Sequence, residues 1–425
     1  MLKNKYLLSL FFVFVYVNSI AQLLTYDSLK TVILAENPEL EMYRYNAQAL
    51  DAMAEGATAW EAPQIGMGLF MTPYNATYWK PKTMGVDGAD MTSSGMGNFM
   101  IQGRQMIPNP AKLNANKKYM QAMSTVEVES QNAAANNLLY HAKTNFYEIQ
   151  IADRKLAILN ESKKTLDIII ELGEGKVAYN KISIASIYKA KSQRAMLQNE
   201  IAMLEADRIQ RTHVLNNLMN CKDKTSYTID TQFVIKNYDK ELIDTTKIKN
   251  NRSDLLALDQ EIQVALLKQK TEQVKSNPDF GIEFGHMSAF GNNPNLFTLM
   301  GMVTIPIAPW SSKMYKANAV AYNHKIKSYQ SQKESIINEA INTLYSLKNK
   351  ISSAKNQIGL YDTMILPSLK KSYDFALLAY TQNTGDLFEA LDARMNLQMA
   401  QIQYQETLLN LLTLQAEYEK QLQIY

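Results

Sequence analysis

Between Ala111 and Leu172 the chain has neither proline nor glycine. No other feature limits the fold so strongly. A helix of some sixty residues is a rod of roughly 90 Å. Within the run, Leu139, Ala142, Phe146, Ile149, Ala152, Leu156 and Leu159 recur at steps of three and four, the spacing of a coiled-coil seam. Helices of ordinary globular domains average about a dozen residues, so a compact helical domain does not accommodate this one. Composition agrees: 425 residues contain only 16 Gly and 11 Pro. A net charge of +3, with no basic stripe interleaved with aromatics, points away from nucleic acid.

The layout is duplicated. NPELEMYRYNAQALDAMAEG from Asn37 resembles RSDLLALDQEIQVALLKQKT from Arg252, about 215 residues later. APQIGMGLF (from Ala62) pairs with NPDFGIEFG (from Asn277), and QMIPNPAKL (from Gln105) with VTIPIAPWSSKM (from Val303). GEGKVAYNKIS (from Gly173) pairs with TQNTGDLFEAL (from Thr381). Each half reads helix, strand, loop, strand, Ile-Pro, very long helix, bend, long helix. The divisions are a secretory signal peptide at 1–21, a first repeat at 22–220, a linker at 221–250 and a second repeat at 251–425. The first repeat holds strands at about 63–72 and 96–107 and a helical hairpin at 109–220; the second holds strands at about 278–288 and 296–306 and a hairpin at 309–422.

Lys3 and Lys5, the apolar run Leu7 to Val17 and the small residues before Gln22 identify the signal peptide. The single cysteine, Cys221, permits neither a lipid anchor at the cleavage point nor an internal disulfide. Beyond the signal no segment reaches eighteen consecutive apolar residues, so any membrane crossing must be made by strands.

The four strands have the length and two-residue alternation of tilted membrane strands. Ile65, Met67, Leu69 and Met71 share one face, as do Phe280, Ile282 and Phe284, and Phe297, Leu299 and Val303. The loop from Thr72 to Ser94 carries Tyr74, Tyr78 and Trp79, suited to a membrane interface. The smallest membrane barrels need about eight strands, so several chains must share one.

At the bends, Gly173 and Gly175, and then Asn383 and Gly385, supply residues tolerant of positive φ. Pro367 predicts a kink in the second long helix. The final seam reads Phe388, Leu391, Met395, Gln398, Ile402, Gln405, Leu409, Leu412, Ala416. Its glutamines make sense where one side of the helix layer meets water.

Taken together, the duplicated layout, LKTVILAENPEL near the start, Ile-Pro after each second strand and AYTQNTGDLFEALDARMNL near the end resemble the outer-membrane efflux factor (TolC-like) family over essentially the whole mature chain. The resemblance implies a mainly α homotrimer. Long coiled-coil hairpins would form a trimeric α-barrel, and four strands per chain would contribute to a shared twelve-stranded transmembrane β-barrel. It implies a passive exit duct in the outer membrane with a periplasmic tunnel, set among outer-membrane lipids. A periplasmic adaptor (membrane fusion) protein and an inner-membrane RND-type pump are the implied partners. Glu389 and Asp392 occupy the positions of the family's constricting carboxylates at the periplasmic tip, where Gly173, Gly175, Asn383 and Gly385 form the turns. The segment from Phe70 to Leu113 is similar to members of heavy-metal (copper/silver-type) efflux systems. Among 22 methionines, Met67, Met71, Met96, Met100 and Met287, with His286, are candidate soft-metal ligands; the plain alternative is flexible apolar packing. No cofactor is implied, and no nucleophile, phosphate loop or metal-spaced histidine pair suggests an enzyme. The competing readings are a periplasmic coiled-coil adaptor, which would carry one hairpin among β-rich domains, and a soluble helical scaffold.

Overall fold

The computed structural model describes residues 23–86, 89–93, 95–177, 183–221, 227–382 and 384–424. The signal peptide at 1–21 and the turn residue Asn383 lie outside the described residues.

The first half runs β1 (Leu23–Leu24), α1 (Tyr26–Glu36), α2 (Pro38–Gly56), β2 (Gln64–Phe70), β3 (Lys82–Val86), β4 (Ala89–Ser93), β5 (Asn98–Ile107), α3 (Pro110–Val177) and α4 (Ile184–Leu218). The second half runs β6 (Thr228–Ile229), α5 (Thr245–Asn251), α6 (Ser253–Val274), β7 (Asp279–Ala289), β8 (Leu296–Thr304), α7 (Pro309–Leu360), α8 (Leu366–Thr381) and α9 (Leu387–Leu422). The 68 residues of α3 span about 100 Å.

Four antiparallel strands form one sheet in the order β2-β5-β7-β8. The helices joined to them pack in the same order, α2 on α3, α3 on α6 and α6 on α7. The sheet therefore continues directly into a helical wall. Asn109 makes the junction at the head of α3: its Oδ1 accepts from Ala111 N at 3.0 Å, and its Nδ2 donates to Pro278 O at 3.0 Å. Lys112 pairs with Asp279 at 2.5 Å, tying α3 to β7. Further along, α3 packs with α4, and α9 packs with α3, α7 and α8.

Register resolves the two faces of the sheet. Ile65, Met67, Leu69, Phe99, Ile101, Phe280, Ile282, Phe284, Phe297, Leu299 and Val303 share one face, and all are exposed in the single chain. The other face carries Gln102, Arg104, Glu283 and Thr298 between methionines and glycines. Around the sheet's helical end, Trp60 and Trp310 are also exposed. Strand alternation could not reveal them, because Trp60 precedes the first strand of the sheet and Trp310 follows the last.

Several expectations are corrected. The segment between β2 and β5 is not a plain loop, since β3 and β4 pair within it as a hairpin. Beside this hairpin Trp79 stacks on Phe290 at 5.4 Å, and its Nε1 donates to Pro73 O at 2.8 Å. The Pro367 kink is displaced toward the N-terminus as a π turn over Tyr361–Ile365. The proline ring crowds the carbonyl four residues back, and one inserted residue moves that carbonyl aside. Leu391, Gln405, Leu412 and Ala416 of the expected α9 seam are buried, and the buried stripe widens to the residues one position earlier. Leu387, Ala390, Arg394, Leu397, Leu408 and Leu411 are buried, whereas Phe388 and Met395 are exposed. Gln405 turns inward instead of toward water, and its Oε1 has no hydrogen-bond partner. A helix that meets α3, α7 and α8 together needs a broader buried stripe than a two-stranded seam supplies.

The linker wraps the rods at mid-height. Within it β6 pairs in parallel with β1, and Lys236 and Gln415 of α9 exchange backbone-to-amide hydrogen bonds at 3.3 and 2.7 Å. At the centre Glu419, 2% exposed, accepts from Tyr238 Oη at 2.6 Å, from Lys236 Nζ at 2.8 Å and from Lys143 Nζ. Burial alone would raise the Glu419 carboxyl, but Lys143 and the other donors outweigh it and hold it below its ordinary value. For Lys143 burial wins over Glu419, and its ammonium is pushed down.

Candidate functional site

Two helical hairpins, α3–α4 and α8–α9, meet at the end of the molecule away from the sheet. Leu166, Ile169 and Ile170 of α3 and Ile187 and Ala190 of α4 share one core with Tyr380, Leu387, Ala390 and Leu391. Burying a large apolar side chain contributes about 1.5–3 kcal/mol, so the two hairpins are held side by side mainly by this cluster.

Of the described turn glycines, Gly173 and Gly385 stand at close contacts, and none adopts positive φ. Gly173 and Gly175 lie inside α3. A Cβ on Gly173 would meet the tip of the Ile187 side chain of α4, so this glycine lies at the close contact of α3 with α4. Gly175 has open space around it. In the second turn, Thr384 N and Gly385 N both donate to Ala379 O, at 2.9 and 3.0 Å. A Cβ on Gly385 would lie 2.8 Å from Ala379 Cβ, which makes this residue the tight point of the bend. None of Gly173, Gly175 and Gly385 has positive φ.

Helix α9 starts immediately afterwards. Asp386 caps it, accepting from Phe388 N at 3.3 Å. Glu389 is exposed in the first turn and has no hydrogen bond or ion pair among the described residues. Asp392 accepts from Asn396 Nδ2 at 3.1 Å. Asp386, Glu389 and Asp392 thus follow one another at steps of three along neighbouring turns of one side of the helix. Asp386 extends the acidic row that sequence reasoning began at Glu389; its place next to the glycine turn is the signal that could have found it. Beside the row, Lys189 of α4 sits over the Phe388 ring at 3.2 Å from its centroid.

The candidate metal ligands do not form one site. Met67 and His286 lie on the apolar face of the sheet, Met71 follows β2 at φ 47° and Met96 stands in the loop before β5. Only Met100 and Met287 meet, as direct cross-strand partners on the other face. A second pairing, which the sequence does not reveal, accompanies them. Met106 and Met302 flank Gly281, where a Cβ would lie 2.8 Å from Met106 Sδ and 3.3 Å from Met302 Cε. Two methionine side chains therefore flank one glycine, an arrangement that depends on three strands in register. Among the described residues no three His, Cys, Asp or Glu side chains form a metal cluster, and no helix is long and apolar enough to cross a membrane.

Residues 30–220 match the family model described as outer membrane efflux protein. The whole architecture is similar to CusC, in structures concerned with folding and transmembrane channel formation, at TM-score 0.70 and 15% identity, covering 93% of this chain and 91% of that one. The outer membrane protein VceC of Vibrio cholerae aligns at TM-score 0.69 and 13% identity, over 93% and 95% of the two chains. The open-state channel MtrE of Neisseria gonorrhoeae aligns at 0.68 and 13%, over 93% and 88%. No curated protein sequence matches the chain. The first repeat thus matches the outer membrane efflux protein family model, and both repeats together have the fold of these channel structures.

Proposed function

We propose that three copies assemble into one duct, with β8 of each copy paired to β2 of the next. The open four-stranded sheet carries this reading: its edge strands are β2 and β8, and its whole apolar face is exposed. A chain left alone would present unpaired strand edges and this apolar surface to its surroundings, an arrangement that needs lipid and further copies. Three copies give a twelve-stranded barrel and continue it into a tunnel of helices. The lumen receives Gln102, Arg104, Glu283 and the paired methionines. Purification in detergent followed by imaging tests the assembly: a hollow trimer is expected, and a stable water-soluble monomer refutes it.

The tip is the gate in this reading. Three copies bring three Glu389 and three Asp392 carboxylates to one constriction, joined by three Asp386 carboxylates at the helix starts. Such a ring favours cations and repels itself when narrowed. A periplasmic adaptor docks at the hairpins, and an RND-type pump in the inner membrane supplies the energy. In planar bilayers, Glu389→Ala/Asp392→Ala should lose cation selectivity and divalent block; unchanged selectivity removes both residues from the gate.

The cargo includes soft metal ions in a narrower version of the same reading. The methionine pairs Met100–Met287 and Met106–Met302 on the non-lipid face support it. Deletion of the protein should lower tolerance to copper or silver; tolerance equal to that of the parent strain argues for methionine as packing.

A further inference from the structure

Arg394 is the residue that the duct does not yet explain. It lies two residues past Asp392 and is 6% exposed, three residues beyond Leu391 of the core that joins the two hairpins. Its Nη2 donates to Ser162 Oγ of α3 at 2.8 Å, and its guanidinium sits 5.3 Å from the Tyr373 ring of α8. One side chain on α9 thus touches both α3 and α8, so it spans the boundary along which the hairpins must separate if the tip is to widen. Its Nε is buried without a hydrogen-bond partner, and among the described residues no carboxylate pairs with it. Glu161 and Asp374 come close enough to act on the Tyr373 hydroxyl, but neither forms an ion pair with the guanidinium.

A buried cation held without an ion pair is costly to desolvate. One neutral acceptor and one ring face offset only part of that cost. Water would offset far more of it. A half-open cavity of about 200 Å³, lined by Arg394, Gln193, Glu200, Leu391, Met395 and Met399, runs beside the side chain between α4 and α9, and the Glu200 carboxylate across it forms no ion pair with the guanidinium. Parting the hairpins would widen this cavity and expose the guanidinium further to water.

We infer that Arg394 is a built-in opening element: its buried charge loads the packed tip against itself, and separation of α8–α9 from α3–α4 relieves the load. The inference rests on the gate reading above, because it takes the two hairpins as the moving parts. It has the opposite sign from a latch. An isosteric apolar residue should fill the same core without the charge and lock the tip shut. Removing the Ser162 acceptor should strip the cation of its one hydrogen bond and favour opening.

The test uses the full-length protein reconstituted in planar bilayers, with assembly checked by size-exclusion chromatography in detergent. Arg394→Met should reduce open probability by at least about tenfold, and Ser162→Ala should raise it by a similar factor, the range expected for one charged hydrogen bond. Arg394→Lys should remain within about threefold of the parent, since it keeps the charge. Cation selectivity, set by the carboxylates, should not move in any of the three. If Arg394→Met opens the channel, Arg394 is a latch and the inference is overturned. If Arg394→Met and Ser162→Ala gate like the parent while Glu389→Ala/Asp392→Ala changes selectivity, the inference fails and the gate stands. If neither the parent nor any variant conducts, the duct reading falls and takes this inference with it.

Discussion

Glu419→Gln isolates the mid-height ionic network. The substitution keeps size and one acceptor but removes the charge that faces Lys143, Lys236 and Tyr238. Lys236 is half exposed and can turn to water, so its loss counts for little. Lys143 cannot, because its side chain is only 11% exposed. Breaking a buried pair by removing one partner costs about 3–5 kcal/mol. With an unfolding entropy near 2.1 cal/mol/K per residue over roughly 400 residues, that corresponds to a fall in Tm of about 4–6 °C. Circular dichroism at 222 nm in detergent reads this fall. The double variant Glu419→Gln/Lys143→Met removes both charges and should recover most of it. The acid limb supplies a second readout. The Glu419 carboxyl is held below its unfolded value of 4.5, so the folded state binds fewer protons than the unfolded one in that window. Its contribution is therefore present above the unfolded value and is lost as pH falls through the folded one. The Gln variant should lack this part of the acid slope. A Tm within about 1 °C of the parent, or a double variant no better than the single one, refutes the reasoning.

Two further outcomes follow from the backbone. Gly97 has φ +110°, and a Cβ there would lie 2.9 Å from Thr72 Cγ2, so Gly97→Ala should loosen the loop before β5 at a cost of about 1–3 kcal/mol. Faster proteolytic nicking between residues 72 and 97 in nanodiscs is the expected sign, and parental resistance counts against it. Pro367→Ala should let the π turn at Tyr361–Ile365 relax to α-helix, slowing hydrogen exchange there. Unchanged exchange would instead assign the turn to the edge-on contact of Tyr361 with Tyr404 at 6.0 Å.

The rods and strands were legible because each is a one-dimensional pattern. A stretch without Pro or Gly gives α3, two-residue alternation gives the apolar face that carries Met67, Ile282 and Leu299, and the repeat offset pairs the two halves. The acidic step from Glu389 to Asp392 was equally visible, since residues three apart on one helix are neighbours whatever surrounds them. Roles that depend on a second element were not. Gly173 was expected to supply positive φ, and only the approach of Ile187 reveals that it is a contact glycine. Met106 and Met302 lie almost two hundred positions apart in sequence, and three strands in register set them on either side of Gly281. Arg394 reads as an ordinary helix-surface residue until α3 and α8 close over it. Periodicity fixes which face of an element is apolar, but burial of a charge, or the placing of two methionines about one glycine, is a property of the partner that packs there, and the tertiary structure alone selects that partner.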